Sequence, residues 1–161
     1  MNKKVLLWGG IAAAVLLCLC VGVFILGAGV TFFGLTSSEE PQDVSVDISA
    51  PSQATVGQSF DLLITINNFA GRSRELNSID VDADLLEGLR VTGTTPPADS
   101  YDTFGFFDSY FFYTSLPANG TAEVTLHLQA QAEGTYTGWV DTCIDDEASC
   151  VRRTISIAIS K

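Results

Sequence analysis

An all-β fold, one antiparallel β-sandwich preceded by one N-terminal transmembrane α-helix, follows from three observations. Residues 5–36 run thirty-two positions without Asp, Glu, Lys, Arg or His, well past the roughly 18 apolar residues that mark a membrane span. After residue 43 the apolar period changes to two, the period of half-buried strands. Turn residues then punctuate the chain every 8–12 residues or so, with no amphipathic helical stretch between them, the pattern of a sandwich. The layout expected is a cytoplasmic stub at 1–4, an anchor at 5–36, a linker at 37–43 and an extracytoplasmic sandwich at 44–161.

Topology follows from charge. Lys3 and Lys4 precede the apolar run, and nothing basic follows it until Arg72. The positive-inside rule puts the N-terminus in the cytoplasm and the C-terminal part outside the cell membrane. A cleaved signal peptide would have an apolar region of about 7–15 residues and an early small-residue site. The run is longer than that, and Ala28 and Gly29 come late, so retention as an anchor is expected. Cys18 and Cys20 follow Leu17 and Leu19 rather than a small residue, which argues against a lipidation signal. As a helix the run would measure about 48 Å against a core of about 30 Å, so it tilts or ends at the interface. Gly10, Ala14, Cys18 and Gly22 place small side chains along one face, a row that permits close helix packing and a homodimer through the span.

Beyond the span lie all nineteen acids of the chain and six basic residues (Arg72, Arg74, Arg90, Arg152, Arg153, Lys161). That excess repels nucleic acid and anionic headgroups. It suits a soluble surface beside a membrane, or a cationic or basic partner.

Strands are read from alternation. Val44, Val46 and Ile48 alternate with polar residues. Phe60, Leu62, Ile64 and Ile66 share a face, and Asn67 and Asn68 are expected to end that strand. Residues 51–57 read as a turn. Ile79, Val81, Ala83 and Leu85 alternate with Asp80, Asp82 and Asp84, read as the solvated face of a strand. The three acids do not make an EF-hand, because Leu85 and Val91 stand where the loop needs Gly and Glu. Leu89 and Val91 continue the sheet, and residues 94–100 form a loop. Val124, Leu126 and Leu128 face inward, opposite His127. Tyr136 and Val140 point inward, and Trp139 the other way. Ile155, Ile157 and Ile159 form the last strand.

Residues 101–113 hold eight of the sixteen aromatic residues. Either they make a core strand with a loop tucked over the sandwich edge, or some form an exposed patch for a protein, a glycan or a membrane surface. Tyr101, Phe104, Phe106 and Phe107 are the candidate partner-binding residues. Asp99, Asp102 and Asp108 rim them, which disfavours anionic lipid.

Cys143 and Cys150 flank six residues between the last two strands. In an exported domain they are expected to form a disulfide. A zinc site would need further thiolates or histidines. Asp141, Asp145, Asp146 and Glu147 cluster nearby. They read as a charged hairpin tip or as a candidate calcium site. Asn119, Gly120 and Thr121 fit the N-glycosylation pattern, relevant only in a glycosylating source. No G-x-S-x-G is present, and His127 is the only histidine. A non-enzymatic module without a cofactor is therefore expected, with calcium-dependent assembly or carboxylate-based glycan hydrolysis as the other readings.

The segments VGQSF (56–60), LLITINN (62–68), LPANGTAEVTL (116–126) and GTYTG (134–138) carry a resemblance. They resemble bacterial Ig-like domains of the CARDB (cell-adhesion-related) type over roughly residues 44–160. The resemblance implies an Ig-like β-sandwich serving as a surface-exposed adhesive or spacer module. The cysteine pair is not part of that pattern.

Overall fold

The computed structural model describes residues 40–161. The expected span at 5–36, with its Gly10, Ala14, Cys18 and Gly22 row, lies outside them. So do Lys3, Lys4 and the first part of the linker.

Ten strands and one helical turn follow in order: β1 (Val44–Ser49), β2 (Gln53–Thr55), β3 (Ser59–Asn68), β4 (Arg74–Asp82), α1 (Ala83–Leu86), β5 (Leu89–Thr95), β6 (Ser100–Thr103), β7 (Phe107–Leu116), β8 (Thr121–Ala130), β9 (Gly134–Ile144) and β10 (Cys150–Ser160). They form two sheets. One has four strands in the order β1-β3-β8-β5, and the other six in the order β2-β10-β9-β4-β7-β6. The inner residues of each strand meet in one core. Leu62, Ile64 and Ile66 of β3 and Val124, Leu126 and Leu128 of β8 come from the smaller sheet. Ile79, Val81, Phe112, Val140, Ile157 and Ile159 come from the larger one. Period two is what places them there, since alternate side chains of a strand share a face. The sandwich expected from the sequence is therefore present.

Several local expectations are corrected. The sheets are not purely antiparallel, because β2 pairs in parallel with β10, Ile159 opposite Ala54. This strand lies inside the segment read as a turn. The turn itself is Thr55 to Gln58, where the Gln58 N–H donates to the Thr55 carbonyl at 2.9 Å. Gly57, at φ 85°, fills the third position, where an L side chain is strained. Asn67 and Asn68 do not break β3 but complete it. Asp82 ends β4 by capping α1, its carboxylate accepting from the Asp84 N–H at 3.1 Å. Ala83 and Leu85 are thus helical, and Leu85 is buried from the helix. β5 crosses to the other sheet and pairs with β8.

Cys143 and Cys150 stand opposite each other on β9 and β10 and are joined by a disulfide, S–S 2.08 Å. The bridge closes the neck of the hairpin. Replacing both cysteines by alanine is expected to lower stability by about 2.5 kcal/mol, the loop-entropy value for so short a ring. Urea titration of the two proteins measures it, and equal midpoints would exclude a stabilising role.

One lateral side of the sandwich is fastened. Arg153 of β10 donates from Nε to the Val46 carbonyl of β1 at 3.0 Å and from a terminal nitrogen to Glu40 at 2.9 Å. The opposite side, between β5 and β6, has no such strap among the described residues.

Candidate binding face on the outer side of the six-stranded sheet

Register aligns outward side chains across five strands. Arg152 on β10 pairs with Asp141 on β9, Asp141 with Asp80 on β4, Asp80 with Ser109 on β7, and Ser109 with Asp102 on β6. Arg152 grips Asp141 with two hydrogen bonds, 2.8 Å from Nε and 2.6 Å from a terminal nitrogen. Ser109 Oγ donates to Asp80 at 2.5 Å. The other Asp80 oxygen lies 3.5 Å from Cys143 Sγ.

Asp80 is therefore not on a solvated face: it is only 9% exposed. Ser109 on β7 and Cys143 and Asp141 on β9 crowd it from the neighbouring strands, which alternation alone could not reveal. Burial pushes the Asp80 carboxyl above its ordinary value. The Ser109 bond opposes the rise, and the nearby Asp141 charge adds to it. The sign follows. An acid with a raised folded-state value binds protons more readily folded than unfolded, so its ionised form costs stability as pH rises through that value. Asp80→Asn is expected to raise stability at pH 7 by on the order of 1 kcal/mol. The gain should fade below about pH 4, near the ordinary aspartate value of 3.8. Thermal melts of both proteins across pH test this; a lower melting temperature for the Asn variant at pH 7 would refute it.

Beside this polar row runs an aromatic one. Phe107 on β7 is the hub. Phe104 stacks on it with ring centroids 4.9 Å apart, Phe106 meets it edge-on at 4.7 Å, and Trp139 on β9 lies at 5.8 Å. The Arg152 guanidinium sits over Trp139, 4.1 Å from the ring centroid, a cation–π geometry. Gly105, at φ 83°, makes the turn that returns Phe106 toward Phe107. Phe111 and Tyr113 stack at 5.9 Å farther along β7. Phe106 is 67% exposed, Tyr101 55%, Tyr113 52% and Phe104 47%. Of the aromatic residues in 101–113 only Phe112 is fully buried.

Of the sequence-expected partner-binding residues, Phe104, Phe106 and Phe107 come together. Tyr101 does not join them. It faces the inner side of β6, beside Tyr110 at 5.1 Å, with its hydroxyl donating to Asp108 at 2.9 Å. Trp139 and Arg152 belong to the face and were not singled out. The outward reading of Trp139 and the register from Cys143–Cys150 would have placed them there.

The candidate calcium ligands are not assembled. Asp141 is held by Arg152. Asp145 accepts from Arg74 at 2.7 Å, from Arg72 at 3.4 Å and from the Glu75 N–H at 2.8 Å. Burial would raise its carboxyl, but the Glu75 N–H and the two arginines outweigh this and hold it below its ordinary value. Asp146 accepts from the Ala148 and Ser149 N–H groups, shaping the tip. Glu147 has no place in these bonds. Among the described residues no three His, Cys, Asp or Glu side chains converge as metal ligands.

His127 faces outward, and both ring nitrogens are engaged. Nδ1 lies 2.7 Å from Asp61 and Nε2 2.8 Å from Thr95 Oγ1. The order hydroxyl, imidazole, carboxylate is that of a nucleophile relay. Yet the Asp61 and His127 side chains are 64% and 41% exposed on a sheet face, where water competes for every bond. Cross-strand support of β3, β8 and β5 accounts for the cluster.

No family model and no curated protein matches the chain. Solved structures are similar to it at low identity. One, described as "AvmM Catalyzes Macrocyclization in Alchivemycin A Biosynthesis", is similar at TM-score 0.50 and 9% identity, over 76% of this chain and 95% of that one. The cupredoxin domain of amoB from Nitrosocaldus yellowstonii is similar at TM-score 0.49 and 12% identity, over 76% and 90%. The CARDB domain of PF1109 from Pyrococcus furiosus, in solution, is similar at TM-score 0.46 and 16% identity, over 76% and 98%.

Proposed function

We propose that the chain is a single-pass membrane protein whose C-terminal sandwich stands outside the cell membrane as a non-enzymatic binding module. On this reading its N-terminus is cytoplasmic, and it presents the Phe104–Phe106–Phe107–Trp139 face to a protein or glycan partner. The observation that carries the reading is the exposure of Phe104 and Phe106 within one stacked cluster. Large rings left open to water at one place mark an interaction site better than scattered apolar residues do. Trp139 and the Arg152 fork add the residue types enriched at binding hot spots. The uncharged run at 5–36, flanked only by Lys3 and Lys4, supports the anchor and its orientation. The Cys143–Cys150 bridge supports an oxidising compartment. Resemblance to CARDB-type modules agrees with an adhesive or spacer role.

The test is the variant carrying Phe104→Ser and Phe106→Ser in the full chain. Crosslinking in native membranes should yield a defined partner with the parent chain, and at least about tenfold less with the variant. Stability should change by less than about 1 kcal/mol, as for surface substitutions. A large loss of stability would return the rings to the core, and unchanged crosslinking would refute the face.

A further inference from the structure

Four strands end the two sheets: β1 and β5 in one, β2 and β6 in the other. Proteins guard such edges by shortness, charge, proline or a cover, because unpaired N–H and C=O groups invite another strand. Three of the four are guarded. β2 has only three residues. β6 has four and carries Asp102. β1 carries Asp47, and its Val46 carbonyl is taken by Arg153. β5 has seven residues, LRVTGTT, with no proline, and its one charge, Arg90, is turned onto Gln129 of β8 rather than the free edge. Its only irregularity is the register shift between Val91 and Gly93.

Beside this edge the two sheets part. A cleft of about 810 Å³ opens there, with Leu89, Val91, Pro97, Ala98, Tyr101 and Tyr110 among its walls. Its volume falls in the usual range for ligand sites. Burial against these residues pushes the Tyr110 phenol well above its ordinary value, which marks that wall as apolar. Asp108 also lines the cleft, Asp99 lies just before the facing strand β6, and Arg90 is the one basic lining residue, donating to Gln129 at 2.7 Å.

We infer that β5 accepts an extended basic peptide of a partner protein as an added strand. Alternate apolar side chains of that peptide would enter the cleft, with lysine or arginine between them. Backbone bonds to the free edge of β5 would supply affinity, and the alternate pockets would supply selectivity. Charge chooses the occupant. A second copy of this chain, whose net charge is −11, would bring another acidic sandwich against Asp99 and Asp108, and like charges repel, whereas a basic strand is attracted. This surface is separate from the aromatic outer face, so either can fail without the other.

The probe is a short blocked peptide alternating valine with lysine and threonine, added to the full-length chain in neutral detergent. Saturable binding is expected, with amide NMR shifts concentrated at residues 91–95 and at Tyr110. N-methylation of the peptide's edge-facing amides should weaken binding about tenfold. A scrambled peptide of the same composition should bind at least about tenfold more weakly, since charge alone would not separate the two. Ala98→Trp, which fills the cleft, should abolish binding. Should that variant not fold, Thr92→Lys on the exposed edge should weaken binding about tenfold instead. Equal binding of the scrambled or N-methylated peptide would overturn the inference. So would sedimentation as a dimer with β5 amides protected, which would make a second copy the occupant.

Discussion

Phe112→Ala lowers the unfolding free energy by about 4 kcal/mol, within the range for truncating a buried phenylalanine. Phe112 is 2% exposed and heads the large, fully buried side chains of the sandwich. Its position explains the expected size. The β4–β7 register shifts between Leu76 and Ser78, so Phe112 and Tyr113 on β7 stand against Asn77 alone. Tyr113, at φ 44°, absorbs the extra residue. Alternation along β7 turns Phe112 inward with Tyr110 and Leu116, while Phe111 and Tyr113 stay outside. A cavity here cannot close by a small side-chain shift, because β7 is paired with β4 on one side and with β6 on the other, Ser100 opposite Phe111. Phe112→Leu, which keeps most of the volume, should cost only about 1.5 kcal/mol. Urea unfolding with an unchanged slope and a lowered midpoint is the expected record. A loss under about 1 kcal/mol for the alanine variant would mean that the ring is not in the core.

Asn68→Ala lowers stability by about 3 kcal/mol, through stranded polar groups rather than lost volume. Asn68 is 1% exposed. Its Nδ2 donates to the carbonyls of Arg72 at 3.0 Å, Leu116 at 3.3 Å and Pro117 at 2.9 Å. Its Oδ1 accepts from the Ala70 N–H at 3.0 Å. One side chain thus ties the β3–β4 loop to the β7–β8 turn. Backbone bonds from Asn119 to Ala70 and from Asn68 to Gly120 run beside it. Alanine removes the partner of the Ala70 N–H and of the Arg72 carbonyl, while the Leu116 and Pro117 carbonyls keep the Ser73 hydroxyl and the Gly120 N–H. Asn68→Asp should be at least as damaging at neutral pH, since a carboxylate cannot donate to three carbonyls. Amide exchange should accelerate first at Ala70 and Asn119, ahead of global unfolding. Exchange there at the parent rate would refute the latch.

How much was legible in the sequence depends on what each residue answers to. Val46, Leu62, Ile64, Leu126 and Ile157 are inside because alternation is a local property that tertiary structure only had to accept. The Cys143–Cys150 bridge was legible because hairpin neighbours are close in sequence. β2 was not, because Gln53, Ala54 and Thr55 are recruited by the backbone of β10, more than a hundred positions away, and carry no apolar pattern of their own. Asp80 misled for a related reason: its alternation is that of an outward residue, and it is outward, but Ser109 of β7 and Cys143 of β9 close in on it and leave it 9% exposed. The binding face was half visible. Phe104, Phe106 and Phe107 stand out by composition, whereas Trp139 and Arg152 reach them only through the order of β7, β4, β9 and β10 in the sheet. Tyr101 was grouped with them by proximity in sequence, and a strand separates neighbours to opposite faces.

The bridge at the neck of the last hairpin has a consequence for survival among proteases. Asp145, Asp146, Glu147 and Ala148 at the tip are exposed, and such tips are the usual places for nicking. A cut there would leave β10 covalently fastened to β9 through Cys143 and Cys150, with the pairing from Val151 to Ile159 intact. The cleaved molecule would migrate as one band without reductant and as two with it. The sandwich would keep its last strand, and its outer face, after the chain itself had been severed.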